Sequence, residues 1–526
     1  MTALDRFASR PAERRDVNAP AELYEPPLRG RFTVFSEAFI AAASQFANRE
    51  AYVEDGRRLT FGGWAQDAFA LAAAFQKAGV GKGDVVAIWL SSSIDFAICV
   101  AGVSLIGAIP TGVNPRLGAI EVAAIRDRAR PRAWIAEDDL SLADPAGKEL
   151  WFSRSSLAGL IATNRGVAPA LAEAEAGDPA LIVWTSGTTG APKGAWFDHR
   201  CLQAAVGLAG PMTRAFDRRI APPVFAHAGY LAKIWEQCAF GMALIIAPTP
   251  WNAAAALQLI ARERAVSAAA VPTQWEKLVE QYDLRPADLS TLRICIAAAA
   301  PLPPQLTARM KSIFGADVLI RYAMTECPTI AGTSPGDPVE HLATTVGRAL
   351  PGVDLEIRDE AGRRLPVGKT GRIFVKAPCM MRGYWNAPAE TASAFAGDGW
   401  LLTGDLGTID AEGRLSLAGR TTEMFIRGGY NIYPSEVERA LSGHSGISQI
   451  AVVGIAAPKI GEIGVAFVVP ADPAAPPTLE ELRAWCRDRI ADYKLPDRLE
   501  LLDRLPLTAM MKVDKVAIKR AFQREK

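Results

Sequence analysis

Four features are scarce in this chain. Histidine occurs four times in 526 residues, and there is no H-E-x-x-H, so a structural or catalytic zinc site has little support. The seven cysteines (Cys99, Cys201, Cys238, Cys295, Cys327, Cys379, Cys486) are scattered, odd in number and without a C-x-x-C pair. That argues against a disulfide framework and points to a reducing, cytoplasmic setting. Neither charge is in excess: 58 Lys and Arg against 57 Asp and Glu leave +1. Such a balance gives no reason to expect nucleic acid or an anionic membrane as partner. Long apolar runs are also missing. The longest, from Phe96 to Pro110, is broken by Ser104, two glycines and its terminal proline, and a membrane-spanning helix needs about 20 residues. It reads as a buried helix running into a strand. The N-terminal MTALDRFASRPAERRD lacks the apolar core of a signal peptide.

What is present describes a globular protein. Hydrophobic residues make up 50% and charged residues 22%, and the length predicts roughly three to four domain-sized units. After an arm and a first helix within residues 1–50, Thr60 opens a helical pattern that Gly79 is placed to end. Strands at 84–90, 108–113 and 133–136 then alternate with helices at 93–106 and 118–129. A second alternating block has strands at 244–247, 268–271, 294–297 and 318–322. Its helices lie near 229–241, 252–264, 273–282 and 303–314. This alternation predicts an α/β fold of doubly wound, mainly parallel sheets. From about residue 350, short strands with turns predict a small antiparallel β unit. The segment after Arg420 predicts a compact α+β tail, with Pro434 opening one helix. Thr478 and Glu481 would form the capping box of a last one.

Five segments carry chemistry. The first is TSGTTGAPKG, Thr185 to Gly194, after the apolar run 180–184. Glycines allow successive N–H groups to face one point, hydroxyls add donors and Lys193 adds a positive charge, which suits a polyphosphate. It is not a Walker A loop, because Pro192 stands before the lysine where glycine is required. The alternative is a flexible Ser/Thr/Gly linker. The second is Tyr322-Ala323-Met324-Thr325-Glu326, at the end of a predicted strand, where open α/β sheets bind ligands. There an aromatic can stack on a base, a hydroxyl can bond a phosphate and Glu326 can hold a divalent cation; a strand end followed by a helix cap is the alternative. The others are Thr403-Gly404-Asp405, Gly419-Arg420 with the following GGYNIYPSEVE, and Pro506 to Lys512 (PLTAMMK).

The order and spacing of these segments resemble the superfamily of AMP-forming adenylating enzymes: acyl- and aryl-CoA ligases, peptide-synthetase adenylation domains and beetle luciferases. The resemblance runs from about residue 30 to 520. It implies two half-reactions. A carboxylate first attacks the α-phosphate of ATP, and a thiol, usually that of CoA, then displaces AMP from the acyl-adenylate. By the same pattern Thr185, Ser186, Gly187, Thr188, Thr189, Gly190 and Lys193 would hold the β- and γ-phosphates. Ala299 would belong to the ATP site, and Tyr322 would stack on adenine. Thr325 would contact the α-phosphate and the acid, and Glu326 would bind Mg2+. Asp405, assisted by Arg420, would take the ribose hydroxyls, and Lys512 would be the adenylation lysine. Thr422 would be the hinge between an N-terminal domain, 1–421, and a mobile C-terminal domain, 422–526. Gly428 and Gly429 would line the route of CoA. His227, Lys233, Ala298 and Ala323 would line the acyl pocket.

The chain departs from the family pattern in several places. Thr422 stands where Asp or Lys is usual, although a hinge need only absorb a backbone change. Met511 replaces the glycine before the lysine, and a methionine forced to φ > 0 is strained by roughly 1–2 kcal/mol. Ala323 replaces a common glycine and should narrow the pocket. Ala226 holds the place of a histidine, and His227 follows it; a histidine satisfied by local hydrogen bonds is the alternative for His227. Lys233 and Glu236, at i, i+3, have the spacing of a solvated salt bridge; the other reading is that Lys233 meets a polar group on the substrate. The expectation is an acid–CoA ligase for a medium-chain, cyclic or aromatic acid, using ATP, Mg2+ and CoA, and acting as monomer or homodimer. The alternatives are a ligase passing the acyl group to a carrier-protein thiol or an amine, and a degenerate binder of nucleotide or acyl-adenylate.

Overall fold

The computed structural model describes residues 25–524, apart from 29, 143–147, 186–191, 250, 299–301, 429, 459 and 509–512. Two large sheets form the body. In a seven-stranded sheet, Val85–Trp89, Ile109–Gly112, Ala133–Ala136, Leu150–Ser153 and Pro179–Thr185 run parallel. Val85–Trp89 is buried along its whole length, as a central parallel strand covered on both faces must be. The nine-stranded sheet has a parallel centre made of Arg218–Ile220, Ala243–Ile246, Ser267–Ala270, Ile294–Ala298 and Asp317–Met324. The largest core includes Phe39, Trp64, Phe96, Phe225 and Tyr230. A second core lies under the helices Ala253–Arg262, Pro272–Leu284 and Pro304–Phe314, around the buried Trp275.

Local signals set the helix ends. The Thr60 hydroxyl accepts the Gly63 N–H at 3.1 Å and starts Phe61–Lys77, and Gly79 follows at φ +86°. Ser93 caps Ile94–Leu105 and Asp198 caps His199–Gly207 in the same way. The small β unit is a four-stranded antiparallel sheet that includes Leu401–Ile409 and Leu415–Arg420. The C-terminal tail is built on a long hairpin, Ile447–Ala457 with Gly461–Pro470, and Pro434 is the first residue of its helix Pro434–Leu441. Among the described residues, no helix is long and apolar enough to cross a membrane.

Two expectations need correction, and two return strands come in addition to what was expected. The first return strand joins TSGTTGAPKG to the helix that Asp198 caps. It is Lys193–Asp198, antiparallel to Pro179–Thr185. Likewise Tyr322 to Glu326 is followed by the antiparallel strand Cys327–Gly332, with Thr325 and Glu326 forming the turn. The helix expected over 229–241 is two short helices, Ala228–Leu231 and Ile234–Phe240. The helix capped by Thr478 and Glu481 is not the last, since Lys515–Arg524 follows.

Gly347 joins the nine-stranded sheet to the small β unit. Its carbonyl accepts the Leu415 N–H at 2.8 Å, and a Cβ there would lie 1.9 Å from the Gly332 carbonyl oxygen, at φ +80°. Gly352 has the same φ, but its nearest neighbour would be Leu208 at 4.0 Å. Gly352→Ala should therefore cost about 1–2 kcal/mol of backbone strain, and Gly347→Ala about 1–3 kcal/mol more from overpacking. Thermal unfolding should place Gly347→Ala below Gly352→Ala; equal melting temperatures would contradict the close approach.

Candidate active site

Thr185 and Lys193 face each other across the base of a hairpin. Its tip, with Ser186, Gly187, Thr188, Thr189 and Gly190, lies outside the described residues. Beside the return strand runs a two-residue strand, Gly383–Tyr384, paired to Trp196 and Ala195. This places the Lys193 ammonium 5.3 Å from the centroid of the Tyr384 ring. The Tyr384 hydroxyl donates to Glu326 Oε1 at 2.6 Å. Met381 N–H also donates to the Glu326 carbonyl at 2.8 Å. Burial, with the Glu326 carboxylate, pushes the Tyr384 phenol well above its ordinary pKa, so it stays a neutral donor. A cation, a phenol and a buried carboxylate are thus linked in series.

A second linkage runs beside the first. The Tyr322 hydroxyl donates to Asp405 Oδ2 at 2.6 Å, and Arg420 Nε lies 2.9 Å from Asp405 Oδ1. Asp405 and Arg420 are register partners on adjacent strands, so the ion pair is fixed by the sheet. Burial, then the charge of Asp405, raises the Tyr322 pKa. A carboxylate held between a phenol and a guanidinium in this way is an acceptor of fixed orientation.

The donor set fits magnesium only with a ligand's help. Among the described residues, no group of three or more His, Cys, Asp or Glu side chains could hold a metal. Glu326 has one oxygen engaged by Tyr384 and offers the other. One carboxylate completed by phosphate oxygens and water is how Mg2+ is commonly held.

The residues expected around the acid are distributed over several elements. His227 precedes the helix Ala228–Leu231, and its carbonyl accepts from Tyr230 and Leu231. Gly112 packs so closely here that a Cβ would lie 2.5 Å from Cα of Ala226. Ala323 is exposed, at a register shift between Tyr322 and Met324. Ala298 ends a strand and pairs with Arg321, while Ala299 lies outside the described residues. Lys233 and Glu236 are not the solvated pair that their spacing suggests. Lys233 Nζ donates to Thr329 Oγ1 at 2.7 Å and stands 3.6 Å from Glu236, and the Glu236 side chain is 6% exposed.

In the tail, Thr422 is exposed in the turn after Arg420, and Gly428 adopts φ +56°. Met511, Lys512 and Gly429 lie outside the described residues. The base of the lysine loop is closed by a bridge between Leu507 and Val513. Just beyond it, Lys515 lies 2.8 Å from Glu423 and 2.9 Å from Glu438. Burial opposes the Lys515 charge, but these two carboxylates outweigh it and raise its pKa.

The structure therefore brings together Lys193, Tyr322, Glu326, Asp405 and Arg420, which are far apart in sequence. Sequence reasoning missed Tyr384, whose place depends on a two-residue strand too short to have a pattern. It also missed Arg321, a charged residue within a strand that otherwise reads as apolar.

A family model described as AMP-binding enzyme matches residues 39–385, and one described as AMP-binding enzyme C-terminal domain matches 436–512. The chain is 36% identical over 354 residues to a feruloyl-CoA synthase of Amycolatopsis sp, covering 66% of this chain and 70% of that one. It is 32% identical over 499 residues to the 3-[(3aS,4S,7aS)-7a-methyl-1,5-dioxo-octahydro-1H-inden-4-yl]propanoyl:CoA ligase of Mycobacterium tuberculosis, covering 90% and 95%. Among solved structures, the amide bond synthetase McbA from Marinactinospora thermotolerans aligns with a TM-score of 0.79 at 30% identity, covering 93% of this chain and all of that one. With two thirds of its length under one model and its tail under the companion model, the chain belongs to the AMP-binding enzyme family.

Proposed function

We propose that this chain is an AMP-forming acid–CoA ligase whose acid is cyclic, aromatic or of medium chain length. The relatives named as CoA ligases support the reaction class. The observation that carries the site assignment is the pair of linkages, Lys193–Tyr384–Glu326 and Tyr322–Asp405–Arg420, on neighbouring strand ends.

In the first half-reaction, a carboxylate oxygen of the acid forms a bond to the α-phosphorus of ATP. The bond from that phosphorus to the bridging oxygen breaks, and pyrophosphate leaves. The acid is already ionised, so no general base is required. The chain's work is to bring two anions together and to stabilise the charge that develops on phosphorus. Asp405 would accept the ribose hydroxyls, with Arg420 keeping its carboxylate in place. Tyr322 would present its ring to adenine while its hydroxyl holds Asp405. Thr325, in the turn beside Glu326, would meet the α-phosphate and the acid. Lys193 and the hairpin tip would bind the β- and γ-phosphates, and Lys512 would reach the reacting oxygens. Magnesium, when bound at Glu326 with phosphate oxygens, would withdraw charge from the leaving pyrophosphate.

In the second half-reaction the CoA sulfur gives up its proton to solvent and bonds to the acyl carbon, the bond from that carbon to the AMP phosphate oxygen breaks, and AMP leaves with the bonding pair. We assign residues 1–421 to the ATP- and acid-binding domain and 422–526 to a domain that turns about Thr422. Gly428 and Gly429 would then border the path of the thiol. Free cysteines are all buried, which suits the reducing cytoplasm proposed for the enzyme.

Pyrophosphate exchange across an acid panel, with mass detection of the CoA product, tests the reaction. Exchange with at least one cyclic, aromatic or medium-chain acid, and a thioester from the same acid, are expected. Exchange with no thioester would redirect the assignment to a carrier-protein or amine acceptor. Lys512→Ala should slow adenylation by about 10²–10³-fold, yet largely preserve thioester formation from supplied acyl-adenylate; full adenylation would remove Lys512 from the mechanism. Asp405→Asn should raise the KM for ATP by roughly 10–100-fold, the loss expected for hydrogen bonds to a charged group, with a smaller change in the KM for the acid. Equal changes in both would argue against the ribose role.

A further inference from the structure

Behind Tyr322 lies a group of charged residues that adenylation does not use. Glu236 is its centre. Its Oε1 accepts the Thr213 hydroxyl at 2.6 Å and lies 3.4 Å from Arg219, and its Oε2 lies 3.6 Å from Lys233. Arg219 also reaches Asp217 at 3.3 Å, and Asp217 in turn pairs with Arg293 at 3.0 Å. Lys233 is completed by Thr329. Each of these cations has a carboxylate.

Arg321 is different. It sits on the strand Asp317–Met324, between Ala298 on one neighbouring strand and Gly332 on the other. One guanidinium nitrogen donates to the Thr333 carbonyl at 2.9 Å, and Nε points at the Met212 sulfur at 2.7 Å. A thioether is a weak acceptor. The remaining nitrogen, Nη2, is buried with no hydrogen-bond partner. Among the described residues, no carboxylate lies within ion-pair distance of Arg321. Burial lowers its pKa to about 10, opposed by the more distant charge of Glu236. The place is made for the side chain, because a Cβ on Gly332 would lie 1.5 Å from the Arg321 guanidinium. Guanidinium groups held out of water without an anion are costly, and the fork geometry of arginine suits carboxylate and carbonyl oxygens.

The position is informative. Ala298, its register partner, and Ala323, two residues on, are expected to border the acid. Thr325, expected at the reacting carboxylate, is four residues away, at most roughly 13 Å along the chain. We propose that Arg321 determines acid specificity by receiving, through its unpartnered nitrogen, a carbonyl or carboxylate oxygen at the end of the acid remote from the reacting carboxylate. The substrate class is then an acid with two polar ends separated by a ring system or several carbons. This rests on the acid-ligase reading above and deepens it. Lys233 and Arg219 act as positioning residues: they hold Glu236, which leaves Arg321, in this group, as the cation without a carboxylate within ion-pair distance.

The test compares three acids of matched size, ending in hydrocarbon, a ring ketone or a second carboxylate. For each, kcat/KM in pyrophosphate exchange is measured with the full chain, with Arg321→Met and with Arg321→Lys. The ratio between acids within one preparation is independent of how much of a variant folds. The unmodified enzyme should favour an oxygen-bearing acid by about 100-fold or more, the size of penalty that an unpaired buried donor imposes. Arg321→Met should bring that ratio to within a few-fold of one. Arg321→Lys should restore part of it for the carboxylate and less for the ketone. Which of the two acids the unmodified enzyme prefers distinguishes an anion from a carbonyl. A preference for the hydrocarbon acid, or an unchanged ratio in Arg321→Met, would overturn the inference alone. Exchange with no acid in any preparation would overturn the ligase reading, and the inference with it.

Discussion

Two carboxylates in this protein are each held by a tyrosine hydroxyl at 2.6 Å, Glu326 by Tyr384 and Asp405 by Tyr322. The rest of the site depends on those two bonds. Glu326 and Tyr322 come from one hairpin, Tyr384 from a short strand beside the glycine-rich loop and Asp405 from the small β unit. A phenol is well suited to the task. Burial and the adjacent negative charge raise both phenol pKa values, so each tyrosine remains a neutral donor. The tyrosines thus orient the carboxylates without adding a charge of their own, and the cation paired with Asp405 is Arg420.

The parallel framework was legible in the sequence because its strands are covered on both faces and read as continuous apolar runs. Val85–Trp89 and Ile109–Gly112 fall within a residue or two of their expected ends. Helix starts at Thr60 and Thr478 were legible for a different reason, since a side chain bonding its own next turn needs no tertiary partner. What escaped was pairing at a distance. Lys193–Asp198 mixes charged, small and aromatic residues and becomes a strand only because Pro179–Thr185 lies beside it. The turn at Thr325 and Glu326 was hidden similarly, because the strand after it begins with Cys327 and Pro328 and shows no alternation. The site residues named from motifs were the ones that chemistry fixes locally: hydroxyls and glycines near a lysine, and a carboxylate after a turn. Tyr384 and Arg321 owe their importance to neighbours supplied by other strands.

Charge is distributed with similar economy. The group around Glu236 and Asp217 pairs its cations with carboxylates under the sheet, and Lys233, whose sequence spacing suggested a surface pair, belongs to it. Burying such a network is worthwhile only if nearly every member is satisfied. Arg321, the cation of this group that lacks a carboxylate among the described residues, is therefore the one that we assign to a ligand.

The loop that ends in Lys512 is fastened at its base, by the bridge between Leu507 and Val513 and by Lys515 against Glu423, the residue after Thr422. The described residues that flank Lys512 are thereby tied to the segment that follows Thr422. If the tail turns about Thr422, the lysine travels as a passenger of the whole body, and its arrival and departure are timed by that body's swing. The two half-reactions would then behave like two hands of one clock. A change at Glu423 or Lys515 would then be felt in both.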